Sequence, residues 1–208
     1  MSTPQERKQV ERQARRRRIQ EAARGVFAER GYAKTSIEQI AKQSGLSVGA
    51  IYLYFRSKED LYVSLLERVL DDVIAELRKI RAAGGPDALR NAWSYLVQWA
   101  AADVESTRVL RLVCQPGVRP QLSDETARAA ATRIAGVCGE LAALVRDERG
   151  RDGVAEADLL WALFLGLLQQ ADGRGNLGID GPPLADAAHA AFSAIEPSLR
   201  SPAAPMAA

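Results

Sequence analysis

The chain has 208 residues, 47% of them hydrophobic and 26% charged, which is typical of a globular protein with one or two domains. Its two cysteines and single histidine exclude a disulfide framework and a Cys/His zinc site. The net charge of +2 is unevenly distributed: residues 1–60 contain thirteen Lys or Arg but only seven Asp or Glu, which suits a polyanionic partner.

The sequence lacks the apolar segments that direct a chain to a membrane. The amino terminus is polar and basic, without the apolar core of a secretory signal. No run of about 18 apolar residues is present, so we expect no membrane span. These features predict a cytoplasmic protein in which Cys114 and Cys138 are buried, reduced thiols.

The residue pattern predicts an all-α fold of about nine helices. Ala, Leu, Arg and Glu dominate, and no sustained two-residue alternation of β-branched residues occurs. Residues 1–11 form a polar lead, and Gly or Pro residues separate most of the segments that follow. The predicted helices span about residues 12–30, 36–44, 47–55, 58–83, 87–102, 105–113, 123–149, 155–171 and 183–199.

Helix ends are marked most clearly in the first 60 residues. Gly31 supplies a left-handed end to the first helix. Thr35 or Ser36 caps the second helix, with Glu38 as its capping-box partner. Ser57 is placed to cap the fourth, long helix.

Two short helices joined by a tight turn form the most informative segment, residues 35–58. Gly45 permits positive φ in the turn, which is the helix-turn-helix layout. Apolar residues that can pack the two helices together are Ile37, Ile40, Ala41, Leu46, Ile51 and Phe55. The residues left exposed on the second helix are Ser47, Val48, Gly49, Ala50, Tyr52, Leu53 and Tyr54.

These exposed residues suit contact with duplex DNA. Short side chains at the amino-terminal end of the second helix allow that end to enter a major groove, with the helix dipole facing phosphate. The tyrosine hydroxyls and Lys58 can then reach phosphates on either side.

The segment from Ile19 to Tyr62 resembles the TetR (tetracycline-repressor-like) family of bacterial transcription regulators. The resemblance lies in AARGVFAERGYAKTSIEQIA, SGLSVGAIYLYF and SKEDLY. It implies a homodimeric regulator of operator DNA that is cytoplasmic, nucleoid-associated when DNA-bound, and not an enzyme. It further implies a small-molecule effector and, most often, repression, with neither a cofactor nor a metal.

The resemblance also assigns roles within the segment. Thr35 and Ser36 correspond to backbone contacts of the first motif helix, and Ser47 begins the second. Val48, Gly49 and Ala50 correspond to the base-reading stretch, and Tyr52, Tyr54 and Lys58 to phosphate contacts. The base-reading positions lack Arg, Gln and Asn, so we expect readout through thymine methyl groups, main-chain amides and DNA shape.

A run of arginines, Arg15 to Arg18, precedes the motif together with Arg7, Lys8 and Arg12. This basic arm suits a minor-groove or phosphate contact. A solvated charge run without a partner is the alternative interpretation.

The sequence divides into three predicted parts: residues 1–57 as the arm and DNA-binding domain, 58–201 as the effector-binding and dimerisation domain, and 202–208 as a disordered tail. By the resemblance, helices 155–171 and 183–199 form a four-helix interface with a second subunit. Candidate residues for the effector pocket are Trp93, Leu96, Trp99, Leu110, Cys114, Trp161, Phe164 and Leu168. Their apolar character favours a hydrophobic effector.

Two other motifs lack the context that their chemistry needs. Residues 173–178 match GxGxxG, but a predicted helix precedes them instead of a strand, so we interpret them as a loop. No GxSxG elbow or triad arrangement accompanies His189.

The rival interpretations are a DNA-binding protein without an effector and an enzyme on a helical scaffold. In the favoured mechanism, two recognition helices enter major grooves about 34–36 Å apart, and the fourth helix connects each DNA-binding domain to its sensor. An effector that prefers another spacing weakens DNA binding.

Overall fold

The computed structural model describes residues 3–150 and 152–200, and within them every regular element is a helix. The elements are α1 Pro4–Lys34, α2 Ile37–Ser44, α3 Val48–Tyr52, α4 Lys58–Ser64, α5 Leu66–Ala83, α6 Ala88–Ala102, α7 Val104–Val113, a 3-10 turn Arg119–Gln121, α8 Asp124–Arg149, α9 Val154–Leu177 and α10 Leu184–Arg200. The predicted all-α class is confirmed. All nine predicted helices are present, and the fourth is divided at Leu65 into α4 and α5.

The polar lead predicted for residues 1–11 is wrong over its described part, because α1 begins at Pro4. Thr3 and Glu6 form a reciprocal capping box, with the Glu6 amide donating to Thr3 Oγ1 over 3.2 Å. Capping therefore extends the helix across residues whose side chains are all exposed. The chain leaves helical geometry at Gly31 (φ 73°), as predicted.

The Gly-rich loop predicted at residues 173–178 is also wrong. Helix α9 continues to Leu177 and ends at Gly178 in the left-handed conformation (φ 65°). The earlier glycines of the segment lie inside the helix, so only the last one acts as a terminator. The tail predicted to be disordered, residues 202–208, lies outside the described residues.

The chain forms two compact units. The first comprises Met1–Glu67 with Arg108–Ala130, and the second comprises Arg68–Thr107 with Ala131–Ala208. The predicted division into functional domains at residue 57 stays a prediction.

In the first unit, the core is built from the inner faces of α1 to α4. Its most deeply buried large side chains are Phe27, Ile19, Ile40, Ile51, Phe55, Leu61 and Tyr62. Gln20 fastens α1 to α4 by donating to the Ser64 hydroxyl over 2.9 Å. This core supports α2 and α3 from behind and leaves the outer side of α3 uncovered.

In the second unit, aromatic side chains of α6, α9 and α10 form a cluster within a largely aliphatic core. Phe164 contacts three tryptophan rings, with centroid distances of 6.3 Å to Trp93, 6.3 Å to Trp99 and 5.7 Å to Trp161. Trp93 also stacks on Phe192 and donates its indole N–H to the Ala188 carbonyl over 3.0 Å. The indole thus satisfies its polar group while burying its rings.

Helix α9 is long and apolar enough to span a membrane by length and composition, and 22% of its apolar window is buried.

The two cysteines differ from expectation in their exposure. Cys114 is exposed and Cys138 is half-buried, so the prediction of two buried thiols is wrong. Cys114 directly follows the last residue of α7, Val113.

Candidate nucleic-acid interface

A glycine turn sets the geometry of α2 and α3. Gly45 ends α2 in the left-handed conformation (φ 66°, ψ 33°), and its amide donates back to Ala41 and Lys42. Ser47 then caps α3 by accepting a hydrogen bond from the Ala50 amide over 3.1 Å. The two helices meet through fully buried Ile40 and Ile51, so the predicted helix-turn-helix geometry is present.

Helix α2 is capped by Ser36, but the predicted box partner is wrong. The partner is Gln39, whose side chain accepts from the Ser36 amide over 3.0 Å, while the Gln39 amide donates to Ser36 Oγ over 3.4 Å. Gln39 occupies the third helical position, which the reciprocal bond requires. Glu38 lies one residue too early for this reciprocal bond and is exposed, and hydrogen bonding to the Ser36 side chain lowers the pKa of its carboxyl group.

The outer side of α3 is open. Ser47 and Gly49 are exposed, whereas Val48 and Ala50 are half-buried. A Cβ atom added at Gly49 would meet no heavy atom within 4 Å. The first turn of α3 therefore presents only small groups to its surroundings.

At the end of α3, larger side chains flank this slim surface. Tyr52 is 52% exposed and Leu53 is 76% exposed, while Tyr54 is half-buried. Helix α3 ends at Tyr52, three residues before the predicted end, and the chain turns through Leu53 and Tyr54. The arrangement suits insertion of a narrow helix end with hydroxyl groups beside it.

Thr35 is not presented to a ligand. Its side chain is buried, and the hydroxyl donates to the Gly31 carbonyl over 2.9 Å. The hydroxyl thus satisfies a carbonyl left free at the end of α1. The phosphate contact assigned to Thr35 by resemblance does not fit a side chain in this position.

The Lys58 side chain also makes its hydrogen bonds within the first unit. Its ammonium donates to the carbonyls of Tyr32 (2.9 Å) and Thr35 (3.0 Å) and lies 4.1 Å from the centroid of the Tyr32 ring. One N–H remains for another acceptor. The lysine therefore fastens the start of α4 to the α1–α2 turn, and its contact with phosphate stays a prediction.

Tyr32 and Glu59 form a hydrogen-bonded pair beside Lys58. Burial, with the bond to Glu59, raises the pKa of Tyr32. Burial alone would raise the pKa of Glu59, but the bond from Tyr32, further hydrogen bonds and the Lys58 charge outweigh it and lower that pKa. The Glu59 contribution to stability is therefore present above its unfolded-state pKa and is lost as pH falls through the folded-state value.

Asp60 is a buried residue that sequence reasoning missed. It is fully buried and accepts from the Arg56 amide (2.7 Å) and from the Ser123 amide and hydroxyl (both 3.0 Å). Ser57 adds a bond to the Gln121 carbonyl over 2.9 Å. These bonds tie the segment after α3 to the start of α8, and no local sequence signal indicates a partner 63 residues away.

Arg16 corrects the interpretation of the basic arm. It is buried, lies 2.9 Å from Glu67 in an ion pair, and has its guanidinium 5.0 Å from the centroid of the Phe55 ring. A weaker pair joins it to Glu125 at 3.8 Å. Arg16 is thus a packing residue, and its place three residues before Ile19 on the buried stripe of α1 was the available signal.

The candidate effector residues fall in both units. Six belong to the second: Trp93, Leu96, Phe164 and Leu168 are buried, and Trp99 and Trp161 are half-buried. Leu110 and Cys114 belong to the first unit, buried and exposed respectively. A cavity of about 510 Å³ in the second unit is lined by other residues, among them Arg81 and Leu144.

Fold and surface together define a helix-turn-helix protein with a helical carboxy-terminal part. The sequence model of the bacterial regulatory proteins of the tetR family matches residues 19–65. Over this segment the chain is similar to the TetR family.

Similar proteins extend the comparison. The fatty acid metabolism regulator protein of Bacillus subtilis (strain 168) is 41% identical over 61 residues, 29% of this chain and 31% of that protein. The matched segments span 25–32% of the length of three curated relatives.

Solved structures match over more of the chain. A transcriptional regulator from Rhodococcus sp. Rha1 has a TM-score of 0.65 at 26% identity, covering 90% of this chain and 99% of that one. FadR from Bacillus subtilis in complex with stearoyl-CoA has a TM-score of 0.61 at 19% identity, covering 85% and 95%. The second likeness shows a shared fold alone.

Proposed function

We propose that this protein is a homodimeric, ligand-responsive transcription regulator that represses by binding double-stranded operator DNA. The observation that carries the proposal is the uncovered first turn of α3, where Ser47, Gly49 and Ala50 stand on a buried helix-turn-helix core. The family model matches this same segment. A helix end without bulky side chains can approach base edges closely.

Gly49→Leu tests this contact without disturbing the fold. The new side chain meets no atom of the protein within 4 Å of its Cβ and replaces a helical glycine, so stability should not fall. We measure affinity for duplexes selected from a random library. We expect the variant to lose operator affinity at least tenfold, because the leucine side chain would collide with the base edges on the floor of the major groove.

Gly25→Leu is the matched control, since Gly25 is exposed on α1 and equally free of neighbours. It should bind DNA as the unsubstituted protein does. Normal operator binding by Gly49→Leu would contradict close approach at α3. Failure of the unsubstituted protein to select any DNA at low salt would contradict the proposed function itself.

Dimerisation is supported by the apolar excess of α9. Val154 is 51% exposed and Leu159 is 48% exposed within one subunit, on a helix with little of its apolar window buried. A second copy covering α9 and α10 would remove these side chains from water. Pairing would also place two α3 helices for neighbouring major grooves.

The proposed effector is a small hydrophobic molecule bound in the second unit. The aromatic cluster around Phe164 supports an apolar ligand class, and FadR from Bacillus subtilis has been captured with stearoyl-CoA. All three tryptophans of the chain contact Phe164, so their fluorescence reports on this region.

Titration with a panel of apolar compounds, including stearoyl-CoA as one probe, tests the effector. We expect one class to change tryptophan fluorescence saturably and to weaken operator affinity by about five- to 150-fold, the usual range of allosteric coupling. Unchanged fluorescence and affinity across the panel, with DNA binding intact, would favour the rival of a regulator without an effector.

A further inference from the structure

We propose that the amino-terminal extension of α1, residues 4–15, binds the phosphate backbone of DNA flanking the site that α3 occupies. The cations that make this contact are Lys8, Arg12 and Arg15. The proposal rests on the proposed function and adds to it a second, sequence-independent contact surface.

One face of α1 is apolar in its later part and cationic towards the amino terminus. Ile19, Ala23 and Val26 are buried on this face, where the rest of the first unit covers it. The same face continues toward the amino terminus through Arg15, Arg12 and Lys8, with spacings of three or four residues throughout. The face is therefore apolar where it is covered and cationic where it is not.

The cationic part of this face lines a groove of about 630 Å³. Lys8, Arg12 and Arg15 form one wall with a single acidic residue, Glu11, and Leu53 and Tyr54 at the end of α3 form the other. The Arg12 guanidinium lies 5.8 Å from the centroid of the Tyr54 ring. The groove thus adjoins the surface assigned to DNA.

Arg16 fixes where the extension begins. Its buried ion pair with Glu67 and its position over the Phe55 ring hold the helix against the first unit just after the groove. The twelve residues before it extend about 18 Å at 1.5 Å per residue, which is close to the length of five base pairs along the duplex. A rigid helix of this length can follow phosphates beyond the half-site.

DNA is the occupant that the charges favour. Residues 4–15 contain four Lys or Arg and two Glu, and no base-reading side chain is needed to bind a phosphate backbone. The groove is also continuous with Tyr54, a residue expected beside phosphate. An acidic protein partner is the competing occupant, and the test below separates the two.

The test compares two charge-matched double variants. R12Q/R15Q removes two cations from the groove, and R7Q/R17Q removes two exposed cations of the same helix that do not line the groove. Glutamine preserves helix formation, and matching urea midpoints for both variants would confirm intact folding. Operator affinity is then measured between 50 and 200 mM salt.

In a plot of log affinity against log salt concentration, we expect R12Q/R15Q to reduce the magnitude of the slope by between about 2 and 4. Each lost phosphate contact contributes about 0.9 to the slope, and a dimer loses four cations. R7Q/R17Q should change the slope by less than half as much. Equal slopes for the two variants, or no change in R12Q/R15Q, would overturn the proposal.

A second readout uses the length of the duplex. Removing five base pairs from each flank should weaken binding of the unsubstituted protein and of R7Q/R17Q. It should weaken binding of R12Q/R15Q much less, since only Lys8 of the three cations remains, and changing the flanking sequence at full length should have no effect. If an acidic protein occupied the groove, trimming would affect all three proteins equally. A protein that binds no DNA at all would refute the proposed function, whereas DNA binding without these differences refutes only the flanking contact.

Discussion

The two compact units differ in the side chains that stabilise their interiors. Six buried polar residues belong to the first unit: Arg16, Thr35, Ser44, Asp60, Ser64 and Thr126. Only Thr107 and Glu140 are buried polar residues among the described part of the second unit, whose core is otherwise built from aliphatic side chains with the aromatic cluster of Trp93, Phe164 and Phe192.

This difference matches what each unit is proposed to do. Hydrogen bonds and ion pairs have fixed directions, so a buried polar network holds α2 and α3 in one arrangement. Apolar packing accepts substitutions of similar volume, which suits a region that accommodates a ligand. The family model matches only within the first unit, where residue identities are most constrained by geometry.

The largest expected effect concerns the aromatic core. Phe164→Ala should reduce the free energy of unfolding by about 4 kcal/mol, because the ring is buried against three tryptophans. Phe164→Leu keeps most of the apolar volume and should cost about 1.5 kcal/mol or less. Urea unfolding followed by tryptophan fluorescence measures both, since every tryptophan of the chain lies in the second unit.

If Phe164→Leu were as damaging as Phe164→Ala, the second unit would need exact shape complementarity. The contrast between an adaptable unit and a directional one would then fail.

A smaller effect is expected for the polar network of the first unit. Asp60→Ala should cost about 3 kcal/mol, because it leaves the Arg56 and Ser123 donors without their buried acceptor. Urea unfolding followed by far-UV circular dichroism should show a lower free energy of unfolding, and operator affinity measured in parallel should fall as well. Asp60→Asn has nearly the same size, yet it should also be destabilising because one amide N–H₂ now faces these donors.

Asp71→Ala is the control for a lost carboxylate, since Asp71 is exposed and pairs with Arg133 at 3.0 Å. Its cost should stay below about 1 kcal/mol. Full stability and full DNA affinity in Asp60→Asn would show that the network lacks the directional role assigned to it, and that the two units do not differ in this way.

Sequence reasoning predicted the parts of the molecule that depend on local pattern. Helical periodicity located all nine helices, and the need for positive φ identified Gly31 and Gly45. The same reasoning misplaced the start of α1 and the end of α9. The start of α1 is set by the Thr3–Glu6 capping box, and the end of α9 by Gly178, whereas Gly173 and Gly175 adopt helical geometry.

By itself, the sequence determined the helical class, the helix-turn-helix and the small residues on the open side of α3. Only the tertiary structure decided how individual polar groups are used. Thr35, Lys58 and Arg16 are all chemically able to contact phosphate, yet their partners are the Gly31 and Tyr32 carbonyls and the Glu67 carboxylate. The physical reason is that periodicity indicates which face of a helix is covered, whereas a hydrogen bond to a residue tens of positions away depends on how the chain returns.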